Sequence, residues 1–201
     1  MSRRRIGVPL AALAAAGALA VPALAAAPPS PSPSPKPIVQ KDAAGDVSGK
    51  LDLRQVVLAR GTDGRIRVSL TLASAWDGDD LLSDDGPPGS LCLKLWTASP
   101  ANLDATPDHL VCVTAQADGD LRGSILKARA NQLPARVGSA TITRPSTRTV
   151  TIRFSQTAIG KPAAVELQAE TTRAGCTRAS CIDRSPEQGA ALVLTLRKDK
   201  S

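Results

Sequence analysis

The chain has 201 residues, a formal net charge of +7, four cysteines, one histidine and three aromatic side chains, two Trp and one Phe. So few aromatics exclude the stacked-base site of a single-strand nucleic-acid binder, which needs aromatic faces between its basic residues, and no nucleic-acid partner is expected. The chain also lacks Gly-x-Ser-x-Gly, His-Glu-x-x-His, Gly-x-Gly-x-x-Gly and a P-loop, which removes the enzymes that carry those motifs.

Arg3, Arg4 and Arg5 precede an Ala/Leu-rich run over 6–21, and Ala23-Leu24-Ala25 places small residues at cleavage spacing. That pattern predicts a secretory signal peptide over 1–25 and a bacterial-type exported, extracellular or surface-associated product. The run is broken by Gly17 and Pro22 and falls short of the roughly 20 residues of a spanning helix, so no membrane span is expected after cleavage. Removing three arginines and no acids leaves 176 residues and a net charge of +4. Residues 26–38 are dominated by Pro and Ser, a composition that gives an extended spacer rather than a helix or ladder. The domain is expected over 39–199.

Nine short runs with strand character follow, at 51–60, 65–72, 91–96, 109–115, 121–128, 138–144, 149–154, 163–172 and 191–197. The clearest alternates Ile66, Val68, Leu70 and Leu72 inward with Arg65, Arg67, Ser69 and Thr71 outward, the pattern of a half-buried antiparallel strand. Val150, Ile152 and Phe154 likewise share one face. Pairing Cys92 with Cys112 also sets Leu93 opposite Val111, Leu95 opposite His109 and Trp96 opposite Asp108, so one hairpin register aligns the cysteines and the apolar rows. Gly, Pro and Ser/Thr breaks separate the runs, and only 155–159 and 127–133 have room for a helical turn. The fold expected is all-β, a two-sheet antiparallel sandwich of immunoglobulin-like or jelly-roll-like kind.

Four cysteines fit an oxidising compartment and allow three connectivities, of which spacing favours Cys92–Cys112 and Cys176–Cys181. His109 is the sole histidine, so a Ser/His/Asp or Cys/His mechanism has no second choice, and no catalytic residue is assigned. Glu166 and Glu170, four apart on a strand, stand about 13 Å from each other, too far for a glycosidase pair. A hydrolase would have to work through the aspartate loops.

Two acidic groups remain. Asp77, Asp79, Asp80, Asp84 and Asp85 form the densest cluster, but their spacing does not fit an EF-hand. With Trp76 at the loop mouth and Trp96 on the hairpin, Asp77, Asp79 and Asp80 make one small ligand site to be tested. Asp42, Asp46 and Asp52 bring two turns and a strand start together, either as turn caps or as oxygen donors for calcium.

Asp42-Ala-Ala-Gly-Asp46 leading into Leu51-Asp52-Leu53, then Ile66-Arg67-Val68, the Phe154 to Gly160 step and Asp183-Arg184-Ser185-Pro186, resembles secreted bacterial β-sandwich domains of the carbohydrate-binding family 9 or DOMON-like kind. The resemblance spans 41–196. It implies a sandwich, adds Asp183 to the calcium set, and implies a sugar or haem ligand, although one histidine and Met1 offer no haem ligand pair. The function expected is a non-catalytic module binding a glycan or the cell envelope. The alternatives are an extracellular protein-interaction or inhibitor-like module and an aspartate-dependent hydrolase.

Overall fold

A computed structural model describes residues 36–196 except 44, 46, 62 and 98–102. The expected signal peptide, spacer residues 26–35 and Asp46 therefore lie outside the described residues. Eleven strands follow in order: β1 Ile38–Lys41, β2 Leu53–Arg60, β3 Ile66–Leu72, β4 Ser90–Trp96, β5 His109–Ala115, β6 Leu121–Arg129, β7 Gln132–Ser146, β8 Thr149–Phe154, β9 Ala164–Thr172, β10 Ile182–Ser185 and β11 Leu192–Thr195. Three short 3-10 turns, at Gly78–Leu81, Gln156–Ile159 and Ala179–Cys181, are the only helical elements among the described residues.

All ladders are antiparallel, in the order β1-β2-β3-β8-β7-β6-β5-β4-β9-β10, with β11 also on β9. The all-β expectation holds, but the strands form one sheet bent on itself and nearly closed into a barrel rather than two separate sheets. The reason is β7. It pairs with β6 through Ala140 and with β8 from Thr141 onward, so a single strand belongs to both halves. Its first half has β6 as its one ladder partner, an edge setting in which Pro134 is tolerated without costing a central ladder bond. The helical turn for which 127–133 had room is instead the β6–β7 connection.

The alternation read from the sequence determines what is enclosed. Ile66, Val68, Leu70, Val150, Ile152 and Phe154 from one half meet Leu91, Leu93, Leu95, Val111, Val113 and Ile125 from the other, each at most 1% exposed. Each such side chain contributes roughly 1.5–3 kcal/mol relative to exposure, so this shared interior dominates the fold's stability. The hairpin register is the expected one through Leu95 and His109, with Cys92 opposite Cys112. Cys92 and Cys112 lie on the outer face at a Cα separation of 4.1 Å, and Cys176 and Cys181 are joined at 6.1 Å.

The acidic stretch between β3 and β4 is folded down, not extended. Any side chain on Gly78 would collide with the carbonyl of Gly119, and a Cβ on Gly89 would lie 2.9 Å from both the Ala174 nitrogen and the Thr172 oxygen. Glycine at these two places lets residues 77–89 seat against the β5–β6 and β9–β10 turns.

Candidate functional site

Neither tryptophan presents a face to a ligand. Trp76 is 3% exposed, with the Arg144 guanidinium 4.6 Å from its ring centroid and Arg144 Nη2 donating to its carbonyl. Trp96 is 5% exposed at the end of β4, opposite Glu166 on the β9 side and one residue past the last β4–β5 rung, Leu95 with His109. Asp108 instead accepts from the Thr97 amide and hydroxyl at 2.7 and 2.8 Å. Burial pushes its carboxyl up, but the Thr97 hydrogen bonds outweigh this and hold it below the usual range.

The expected acidic site is largely turn chemistry. Asp77 and Asp80 form a reciprocal capping box around the Gly78–Leu81 turn, with Asp80 accepting from the Asp77 amide at 3.0 Å. Lys50 binds Asp80 at 2.8 Å, and Asp79 lies beside Gly119. The calcium set is partly gathered. Asp52 accepts from the Gly45 amide at 2.9 Å, Asp183 from the Leu53 amide at 2.5 Å, and the Asp42 amide donates to the Arg54 carbonyl. Asp52 and Asp183 thus meet at the start of β2, where both serve backbone amides. Among the described residues no three Asp, Glu, His or Cys groups are gathered as a metal site, and Asp46, the fourth member of the expected calcium set, lies outside them.

His109 is 8% exposed, and its buried Nδ1 has no hydrogen-bond partner. In a Ser-His-Asp arrangement a carboxylate orients that nitrogen, whereas Asp108 accepts from Thr97 here. Burial holds the imidazole below its ordinary pKa of 6.5, with Lys127 adding to the effect and Asp108 opposing it.

The site that the sequence reading passed over is the outer face of β2, β3, β8 and β7. Ladder registers set side chains there in rows: Val57, Ser69, Thr151 and Thr143 in one, Gln55, Thr71, Thr149 and Ser146 in the next, and Ala59, Arg67, Arg153 and Thr141 in the third. Hydroxyls join across strands, Ser69 to Thr151 at 2.9 Å and Thr71 to Thr149 at 3.3 Å. At the arginine end an open cleft of about 590 Å³ has Arg60, Asp63, Arg67, Thr143, Thr151 and Arg153 in its lining. Asp63 receives Arg153 at 2.7 Å and Arg65 at 3.8 Å. Its carboxyl sits below the usual range, first through the Arg65 amide and then, against some desolvation, through Arg153. Arg67 is exposed, and its guanidinium makes no ion pair or hydrogen bond with any described residue.

The signal for this face was present in the outward residues of 65–72 and 149–154. What one strand cannot show is which strand lies beside it, and the rows exist only once β3 pairs with β8 and β8 with β7. Comparison with family models, curated proteins and solved structures returns no match, so function has to be argued from the chain's own chemistry.

Proposed function

We propose that this chain is an exported, non-catalytic module that binds a glycan polymer of the cell envelope on the open outer face of β2, β3, β8 and β7. The observation that carries the reading is that face itself: a half-buried floor of cross-strand hydroxyls ending in an open cleft of about 590 Å³ whose lining includes three arginines. Hydroxyl floors offer both donors and acceptors, which suits a polyhydroxylated ligand lying flat. A signal-peptide pattern, a proline-rich spacer and two disulfides support work outside the cytoplasm. His109, without a partner on Nδ1, and aspartates committed to turns favour binding over turnover.

Co-sedimentation of the exported chain with isolated envelope fragments tests the reading. Retention that is lost on Thr151→Arg, which fills the floor, is the expected result. No retention at any protein concentration, or undiminished retention of the Thr151→Arg variant, overturns it.

A further inference from the structure

The floor and the cleft differ in charge, and the difference identifies the ligand's chemistry. Arg67 stands directly opposite Arg153 in the β3–β8 ladder. Like charges in that position repel, because the side chains leave the sheet about 5 Å apart. Asp63 offsets only one of them, since it takes Arg153 and reaches Arg65. Lining the cleft are three arginines and a single acid. A free, exposed guanidinium beside a half-neutralised one is a fork for an oxyanion, because two parallel N–H groups match two oxygens of a phosphate or carboxylate.

Aromatics separate the anionic polymers from each other. Rings of pyranose polymers are usually gripped by stacking on Trp or Tyr, and this chain's aromatics, Trp76, Trp96 and Phe154, are at most 5% exposed, with no tyrosine present. An open-chain polyol has no ring face to stack, so an aromatic-free floor costs it nothing. It does present a hydroxyl or ether oxygen at nearly every carbon, and the Ser69, Thr71, Thr149 and Thr151 rows answer those groups.

We infer that the cleft seats the phosphates of a linear polyol phosphodiester, with Arg67 and Arg153 gripping phosphate and the Ser/Thr rows contacting the polyol between phosphates. This rests on the binding-module reading above and narrows it to one polymer chemistry. Asp63 then acts as a positioning residue that holds Arg153 toward the cleft.

The test is titration of the exported chain with poly(glycerol phosphate), polygalacturonate and a neutral glucan. Wild type is expected to bind poly(glycerol phosphate), more weakly by roughly five- to tenfold between 50 and 200 mM salt if two phosphates are engaged. Arg67→Ala is expected to lower affinity about tenfold, Arg67→Lys to recover part of it, and Arg67→Glu with Arg153→Ala to abolish it, while each variant keeps the wild-type thermal transition. Asp63→Asn is expected to lower affinity less than Arg67→Ala and to leave the salt dependence unchanged. Equal binding by wild type and the Arg67 variants overturns the assignment, as does polygalacturonate binding as tightly as the polyol phosphate. Binding of neutral glucan alone overturns the polymer chemistry and leaves the module reading standing. Failure to bind any of the three or the envelope fragments removes both.

Discussion

The outer faces of the two halves of the sheet are both polar, yet they use their charges in opposite ways. On β4 and β9, Glu170 receives Lys94 at 2.5 Å and Arg184 at 2.8 Å, and these side chains are 17%, 20% and 43% exposed. Beside them Glu166 and Gln168 are buried, the latter donating to the Pro186 carbonyl at 2.8 Å so that the β10–β11 loop folds over the face. On β3 and β8 the strands are just as regular, but the hydroxyl rows are only half-buried and Arg67 is exposed and without a partner among the described residues. Charge that finds its counter-charge inside the chain, out of bulk water, is part of the fold. Charge held in water opposite its own sign is available to something else.

That contrast can be broken at several points. The largest expected effect is on the covered face: replacing Cys92 and Cys112 together by Ser should cost about 3 kcal/mol on the chain-entropy model for a separation of 20 residues, against about 2 kcal/mol for Cys176 and Cys181. Urea denaturation of the two double variants measures both, and equal losses would show that loop length is not what governs. Next, Glu170→Ala leaves two cations facing each other on a half-covered surface, and about 2 kcal/mol should be lost. A loss indistinguishable from zero would mean the triad is only surface decoration.

A smaller effect concerns pH. His109 has a folded pKa depressed below 6.5 by burial, with Lys127 adding to this and Asp108 opposing it, so the unfolded chain takes up its proton first as pH falls. Stability is therefore expected to be full above about pH 6.5 and to decline below it through the folded pKa. His109→Gln should flatten that decline. Because the chain has one histidine, its imidazole resonance reports the titration without ambiguity. Smallest of all, Arg67→Ala should change stability by less than about 0.5 kcal/mol, since an exposed cation with no partner among the described residues is removed. A stability loss near that of Glu170→Ala would collapse the distinction between the faces.

How much of this was legible beforehand depended on whether a signal was local. The β4–β5 register could be read because two cysteines and two apolar rows had to agree, and the inward faces of β3 and β8 because their alternation is strict. Two strands were missed: β1, four residues at the spacer's end, and β10, four residues inside the loop after Cys181. Neither is long enough to show a period, and both exist because β2 and β9 offer an edge. Pro134 read as a break, but it sits where β7 has one partner. Trp76 and Trp96 drew attention as rare aromatics, and burial under Arg144 and at the end of β4 removed them as ligand platforms. The arginine and threonine face was visible residue by residue only as a solvated side, because its meaning depends on neighbours about 80 residues away in the chain.

One consequence of β7 concerns how the molecule fails. A strand shared by both ladders leaves no seam along which half of the sheet can melt while the other half persists, because freeing either side requires β7 to give up its hydrogen bonds to that side. Calorimetry should then show one heat-absorption peak, with equal van't Hoff and calorimetric enthalpies. The outer face would then be presented whole or lost outright, with no half-folded form left to expose the sheet's Leu and Val interior to other chains.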